Sequence, residues 1–314
     1  MTPKPYIEFK KNLGYKFKEA EYVYAAFDRL VCKRGESNIG VTRDLAEAWA
    51  VRNLNECDST HYKRIMYLIQ FSAYLCDVGY MSFIPSYHTK YKSKFTPYIL
   101  TESQINDILD VCDKTKPKNI MSSHDYVLPA MLRFMYGTGI RVGEATSMLT
   151  KNVDIQQRLA VVHNSKNGRD RIVTFSESVA KVCEQYRGSL PVSSITCGYF
   201  FVRRNGQPCN KKQMYEWFRV ALRKAGIHHG GRGFGPRLHD VRHSFSVHSL
   251  AQMASNGIDL YYALPILSEY LGHQSLEATE KYVRLTAEMY PGLISQVDKI
   301  CSYVFPHTEP LDDD

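Results

Sequence analysis

The feature that most constrains the fold is one β-rich stretch, Leu159–Phe175, in a chain whose other patterns are mostly helical. Two β-rich runs in it flank Asn167-Gly168, the dipeptide that most strongly favours a tight hairpin turn. Elsewhere, apolar residues recur at helical spacing, and glycines such as Gly35 and Gly79 end the segments. The sequence therefore predicts a mainly α fold with a small antiparallel sheet.

A stretch that contains prolines and lysines separates two helical regions and suggests how the chain is divided. Residues 1–86 predict a small helical domain without an obvious catalytic cluster, and residues 87–100 predict a basic linker. Residues 101–290 predict an α+β second domain, which opens on a capping-box pattern. Residues 291–314 predict a C-terminal helix and tail with one apolar face that must be buried, either on its own domain or on a neighbouring copy.

The predicted linker carries Lys90, Lys92 and Lys94, interleaved with tyrosines. Such lysines suit contacts to DNA phosphates, although a solvated loop would have the same composition.

Composition narrows the class of protein without deciding it. The 314 residues carry a net charge of +8, which permits nucleic-acid binding and equally suits a basic soluble enzyme. The N-terminus lacks the apolar region of a signal peptide, and no run of about 18 apolar residues predicts a membrane span. The eight cysteines form no C-x-x-C pair, so we expect reduced thiols in a cytoplasmic protein.

Three stretches carry candidate chemistry, and the first is GTGIRVGEATSML. Two glycines end one helix, and Arg141 falls in the first turn of the next, where an arginine suits anion binding better than helix stability. Glu144 could orient Arg141, or the two could form a simple surface pair. Lys166, at the hairpin tip, could reach into a site or face water.

The second stretch, GPRLHDVRHSFSVHSL, places His239 and Arg242 three residues apart on one helical face. His239 and His243 are four residues apart, as in helical zinc sites, but Asp240 and Arg242 fit a metal site poorly and no third ligand is evident. A histidine beside an arginine better suits an anionic, proton-transferring site.

The third stretch, LGHQSLEATEKYV, holds His273 nine residues before Tyr282. On one unbroken helix the two rings would point in opposite directions. However, Gly272 predicts a helix end and Ser275 an N-cap, so we expect a break that lets both rings reach one point.

The ordered set of R-x-x-E after a G-T-G turn, a hairpin lysine, H-x-x-R-H, L-G-H and a tyrosine nine residues later resembles the tyrosine recombinase (phage integrase) family. The resemblance is dense from Thr101 to about Leu285, and the N-terminal helices resemble that family's core-binding, SAM-like domain. Asp240, Val241 and Gly143 depart from commoner choices without removing a catalytic position.

The resemblance implies a role for each matching residue. Tyr282 would attack a DNA phosphodiester to form a 3′-phosphotyrosyl bond, which conserves the bond energy for rejoining. Arg141 and Arg242 would neutralise the non-bridging oxygens, and His273 would donate a further hydrogen bond.

The remaining roles complete the implied reaction. Lys166 would protonate the 5′-oxygen leaving group, His239 would help move the tyrosine proton, and Glu144 would support Arg141. Neither a metal ion nor ATP would be needed as a cofactor.

The implied partners are double-stranded DNA and further copies of the chain, as a dimer on one site and a tetramer in synapsis. The implied function is site-specific recombination that integrates or excises a mobile element. Two alternatives stay open at the level of sequence: a type IB topoisomerase-like enzyme, and a DNA-binding accessory protein that shares the fold.

Overall fold

The computed structural model describes residues 3–86, 96–115, 126–163, 170–195, 197–231, 235–273, 275, 277–290 and 292. The chain divides into two compact units, Met1–Phe95 and Thr96–Asp314, so the division falls within the predicted linker. None of the helices in these described ranges has the length and apolar character needed to cross a membrane. Mainly α architecture with a small antiparallel sheet was the predicted fold, and it is confirmed.

The N-terminal unit is helical throughout its described elements, which are α1 (Lys4–Asn12), α2 (Lys18–Arg34), α3 (Arg43–Ala50) and α4 (Asp58–Asp77). Gly35 ends α2 in the left-handed conformation, as the sequence predicts, and the Thr42 hydroxyl caps α3. Aromatic rings form much of the core. Phe27 and Trp49, for example, lie edge to face with ring centroids 5.1 Å apart.

The C-terminal unit begins with three helices, α5 (Glu102–Lys114), α6 (Val127–Thr138) and α7 (Val142–Thr146). The predicted capping box of Thr101 and Gln104 is formed at the start of α5. The sheet follows and consists of β1 (Val153–Asp154), β2 (Leu159–Val162) and β3 (Arg171–Thr174).

The sheet is antiparallel in the order β1-β2-β3, and β2 and β3 pair from Leu159 with Thr174 to Val162 with Arg171. The strands β2 and β3 are the two arms of the predicted hairpin. The Asn167-Gly168 turn itself lies outside the described residues.

Within the described ranges, six further α-helices follow the sheet, namely α8 (Glu177–Gly188), α9 (Val192–Ile195), α10 (Lys211–Lys224), α11 (Asp240–Ser255), α12 (Leu260–Leu271) and α13 (Glu277–Met289). One apolar core joins α5, α6, α8, α10 and the sheet. A second, smaller core joins α11, α12 and α13 around residues such as Leu250, Leu267 and Leu285. The start of α11 lies between the two cores, and the functional side chains gather there.

Candidate active site

Arg141 is placed by the glycine turn that ends α6. Gly139 adopts a φ of 63°, a conformation that only glycine takes easily, and Arg141 follows in extended backbone as the N-cap of α7. The sequence predicted Arg141 inside the first turn, whereas the helix starts one residue later. Its Nη1 donates to Glu144 Oε1 at 2.9 Å, and its backbone N–H donates to Glu144 Oε2 at 2.8 Å. The Glu144 carboxylate therefore fixes both the backbone and the guanidinium of Arg141.

The carboxylate of Glu144 also binds a second arginine, which comes from the sheet. Arg171, the first residue of β3, donates from Nη1 and Nη2 to the two oxygens of Glu144 at 3.1 and 2.7 Å. Its Nε donates to the Tyr270 carbonyl at 3.1 Å, near the end of α12. Burial alone would raise the pKa of Glu144, but hydrogen bonds and charge from Arg171 and Arg141 lower it to about 2. Glu144 is thus a fixed anion that joins α7, β3 and the end of α12.

Arg242, in the first turn of α11, is only 1% exposed. Its Nη1 donates to the Gly139 carbonyl at 2.7 Å, and its Nη2 donates to the Leu271 carbonyl at 2.8 Å. Burial and the nearby charge of Arg141 lower its pKa to about 9, which still leaves a cation at neutral pH. Arg242 therefore ties the ends of α6 and α12 to α11 and holds a positive charge between them.

His273 lies in the break that the sequence predicts. Gly272 adopts a φ of 65° and ends α12, and α13 is described from Glu277 onward. The N-cap at Ser275 stays a prediction, because the residue between Ser275 and Glu277 lies outside the described part of the chain. His273 Nε2 lies 3.1 Å from Arg242 Nη2, and its Nδ1 lies 2.7 Å from Thr279 Oγ1. Because a guanidinium only donates, Nε2 accepts and Nδ1 carries the ring proton. His273 is therefore neutral, in agreement with a pKa lowered to about 3 by burial and the charge of Arg242.

Tyr282 lies in the second turn of α13, and its side chain is almost fully buried, at 1% exposed. Its ring stacks near that of His273 with centroids 6.3 Å apart, so the break does bring the two rings together. Its hydroxyl lies 2.7 Å from Nδ1 of His243. Burial raises the pKa of Tyr282, whereas the charge of Arg242 acts to lower it.

His239 has a different position from the other predicted residues. It is the N-cap of α11, its side chain is exposed, and its ring meets that of His243 edge to face at 4.8 Å. Desolvation and the charges of Arg242 and Arg141 lower its pKa, so it too is neutral at neutral pH. The Tyr282 hydroxyl contacts His243 and not His239.

Together these contacts make a site with an excess of positive charge. The charges of Arg141, Arg242 and Lys281 all act to lower the pKa of His273 and His239. Glu144 is committed to the two arginines that it binds. An anion entering between these groups would be stabilised, and a tyrosine hydroxyl is already present beside them.

Comparison with known proteins assigns the family. Residues 98–289 match the model of the phage integrase family, which is more than half of the chain. The chain belongs to the phage integrase family. It is a tyrosine-type site-specific recombinase, an enzyme that cuts and rejoins DNA strands. The family match contains all six predicted catalytic residues.

Similar proteins agree with this assignment. The recombinase is 28% identical over 198 residues to tyrosine recombinase XerA of Pyrococcus furiosus, covering 62% of this chain and 60% of that one. It is 23% identical over 295 residues to tyrosine recombinase XerC of Lactobacillus delbrueckii subsp. bulgaricus, covering 91% and 90%. The Tn1549 transposon integrase, solved in complex with transposon right end DNA, shares the fold with a TM-score of 0.63 at 16% identity, covering 90% of this chain and 94% of that one.

Some predicted site residues of the recombinase lie outside the described part of the chain. These are the hairpin lysine and the three linker lysines, Lys166, Lys90, Lys92 and Lys94. Within the described ranges, no group of three or more His, Cys, Asp or Glu side chains is arranged to hold a metal ion.

The departures from the family pattern have local explanations in the recombinase. A Cβ on Gly143 would lie 2.5 Å from Lys211 Cε, so the glycine leaves room for a lysine of α10. The buried Asp240 accepts the backbone N–H of Arg237 at 2.7 Å and so helps to fix the start of α11. Val241, at 2% exposed, packs into the main core.

Two residues of the site were not assigned a role from the sequence. Arg171 is a residue of the hairpin, and its pairing with Glu144 spans 27 residues. His243 was weighed only as a metal ligand, and its contact with Tyr282 spans 39 residues. The adjacency of His243 to Arg242 was the one signal in the sequence that pointed to the site.

Proposed function

We propose that this recombinase cuts its DNA site through Tyr282, forms a 3′-phosphotyrosyl bond, and integrates or excises a mobile element. The observation that carries the proposal is the convergence of Tyr282, His273, Arg242 and Arg141 from four different segments. A phosphodiester is the anion that suits such a site, because its two non-bridging oxygens match two guanidinium groups.

The arginines would carry most of the electrostatic stabilisation. Arg242 is held in place by two carbonyls, and Arg141 is held by Glu144, so neither has to reorganise when charge develops on the phosphate. Glu144 would act by orienting Arg141 and would not touch the DNA itself.

His273 must change its hydrogen bonding when a phosphate binds. In the resting site Nε2 accepts from Arg242, so it has no proton to donate there. A phosphate that draws on Arg242 would free Nε2, and its negative charge would raise the pKa of the ring. A protonated His273 could then donate from Nε2 to a phosphate oxygen while Nδ1–H stays on Thr279.

The remaining roles rest on the family pattern. Lys166 would donate a proton to the 5′-oxygen as the P–O5′ bond breaks, and His239 would support the phosphate from the exposed start of α11. The linker lysines Lys90, Lys92 and Lys94 would contact backbone phosphates. From the family pattern we also infer that residues 1–86 are a core-binding domain and that residues 101–290 are the catalytic domain.

Assembly on DNA is part of the proposal. Two copies would bind one site, four would form the synapse, and residues 291–314 would be exchanged between neighbouring copies. Deletion from Gly292 onward should leave single-site binding in a gel-shift assay intact and abolish recombination between two sites. Normal recombination by the truncated protein would rule out the exchange.

The central test is trapping of the covalent adduct. The DNA site is first obtained by enriching duplexes that bind the recombinase from a randomised pool. Copies of this duplex are then nicked at successive positions, so that cleavage near the nick releases a short segment with a 5′-hydroxyl. This segment diffuses away and cannot be rejoined. The wild-type protein should shift to a protein–DNA adduct on a denaturing gel, whereas Tyr282→Phe should bind the duplex and form none. Tyr136→Phe is the matched control, because its hydroxyl is likewise bonded to a histidine of α11, His248, at 2.7 Å.

An adduct formed by Tyr282→Phe would refute the assignment of Tyr282 as the nucleophile. Absence of an adduct with the wild-type protein on every nicked duplex would favour a non-catalytic accessory role. Whether the element is mobile would be tested in the DNA that flanks the gene, where terminal inverted repeats are expected.

A further inference from the structure

His243 contacts the reacting atom of the proposed nucleophile. It occupies the first turn of α11, directly after Arg242, and its ring is 5% exposed. Its Nδ1 lies 2.7 Å from the Tyr282 hydroxyl, and the two ring centroids are 5.6 Å apart at 50°. A hydrogen bond of this length between two buried groups fixes the direction of the hydroxyl.

The direction of the hydrogen bond follows from the charges around it. The ring of His243 is buried beside His239, Lys281, Arg242 and Arg237, and desolvation with these neighbours lowers its pKa to about 2. The ring is therefore neutral. Because the pKa of Tyr282 is raised, the phenol keeps its proton, and the simplest arrangement is O–H donating to an unprotonated Nδ1.

Consecutive residues of α11 thus hold the two halves of the site. Arg242 holds the positive charge between α6 and α12 and contacts His273, while His243 holds the hydroxyl of Tyr282. The stacking of His273 on the tyrosine ring limits the ring plane but does not direct the oxygen. The hydroxyl itself lies 2.7 Å from Nδ1 of His243, and the Ser246 hydroxyl is a second hydrogen-bonding group beside it.

We propose that His243 is a positioning residue for the nucleophile, whose neutral Nδ1 accepts the Tyr282 hydroxyl and aims it at the phosphate site beside Arg242. The inference rests on the proposed role of Tyr282. It requires an acceptor atom at the position of Nδ1 and does not require that the ring itself titrate. Misplacement of a nucleophile by about 1 Å can cost on the order of 100-fold in rate.

The substitutions follow from this distinction. His243→Asn keeps an acceptor oxygen near the position of Nδ1 but cannot take up a proton, and His243→Ala removes the acceptor. His248, on the same helix as His243, provides the matched control. Its Nδ1 also lies 2.7 Å from a tyrosine hydroxyl, that of Tyr136. His248→Ala and His248→Asn therefore measure the general effect of losing such a bond in α11.

The first measurement is the single-turnover rate of adduct formation on the nicked duplexes described above, at saturating protein. We expect His243→Ala to slow it by at least about tenfold without changing the dissociation constant for the duplex, and His243→Asn to stay within about threefold of wild type. The His248 variants should stay within about threefold as well. A wild-type rate in His243→Ala would overturn the proposal, and so would a His243→Asn variant as slow as His243→Ala.

The second measurement needs no DNA. Protein labelled with ¹³Cζ-tyrosine gives a resonance for Tyr282, which is assigned by its loss in Tyr282→Phe. That resonance should move in His243→Ala, return toward its original position in His243→Asn, and stay unchanged in His248→Ala. An unchanged resonance in His243→Ala would show that the hydrogen bond is not made. This result is independent of whether the wild-type protein forms an adduct, so failure of the proposed function and failure of this inference can be told apart.

Discussion

Replacing Glu144 by glutamine tests whether this carboxylate organises the site. Glu144 accepts four hydrogen bonds, two from Arg141 and two from Arg171, and its side chain is 9% exposed. A glutamine has nearly the same shape but no charge, and its NH₂ group would face a guanidinium. We expect Glu144→Gln to destabilise the C-terminal unit because Arg171 loses the carboxylate that compensates its buried charge.

The magnitude follows from the titration of the carboxyl. Its pKa falls from the ordinary 4.5 to about 2. Each pKa unit is worth about 1.4 kcal/mol, so the charged form contributes about 3 kcal/mol to the free energy of unfolding at neutral pH. Because the folded-state pKa is lowered, this contribution is complete above about pH 5 and is lost as the pH falls toward about 2.

Urea denaturation followed by tryptophan fluorescence measures the effect. Because Trp49 and Trp217 lie in different units, a Trp49→Phe background lets the signal report the C-terminal unit alone. The free energies of unfolding with and without Glu144→Gln should differ by about 3 kcal/mol at pH 7, and the difference should narrow by about 1 kcal/mol at pH 3.5.

Glu177→Gln is the control, because Glu177 forms an exposed i,i+4 pair with Lys181 that should contribute less than about 1 kcal/mol. The reasoning fails if Glu144→Gln costs no more than this control at pH 7, or if its cost does not fall with pH.

Three further outcomes test the local geometry by thermal or urea denaturation. Gly139→Ala should destabilise by at least about 2 kcal/mol, because Gly139 has a φ of +63° and the new Cβ would lie 2.3 Å from the ring of Phe245. Gly143→Ala should change stability by less than about 1 kcal/mol, because the new Cβ meets only the flexible end of Lys211 and alanine favours a helix; an effect as large as that of Gly139→Ala would contradict this reasoning. Burial raises the pKa of Asp240 from 3.8 to about 6, so its charged form lowers the free energy of unfolding by about 3 kcal/mol above pH 6 and by nothing below about pH 4. Asp240→Asn should therefore remove this loss of stability between pH 4 and pH 6, and a pH profile of stability identical to wild type would contradict the reasoning.

Features that depend on neighbouring residues were predicted well from the sequence. The helix ends at Gly35 and Gly272 and the capping box at Thr101 are set by conformational preferences and side-chain reach within four residues. The predicted N-cap at Ser275 depends on equally local preferences, and it stays a prediction because the residue after it lies outside the described part of the chain.

The contacts that shape the site were beyond the sequence because they join residues far apart in the chain. Nothing in the pattern of the hairpin says that Arg171 reaches Glu144, or that the carbonyl at the end of α12 lies against it. Likewise, His239 and His243 look equivalent as partners for Tyr282 until the packing of α11 against α13 is known. In the folded protein His239 is exposed at the start of α11, whereas His243 is buried against Tyr282.

The resting site has a consequence for how the substrate would act on it. Two histidines near the arginines, His243 and His273, are held neutral by burial and by the positive charges around them, and the same charges lower the pKa of His239. In addition, Nε2 of His273 accepts a hydrogen bond from Arg242. A bound phosphate changes both conditions at once, because it offers Arg242 a better acceptor and adds the negative charge that a protonated His273 requires. On the proposed mechanism, the DNA would complete the hydrogen-bond donors of the site, and proton uptake by the protein would be linked to the binding of the scissile phosphate.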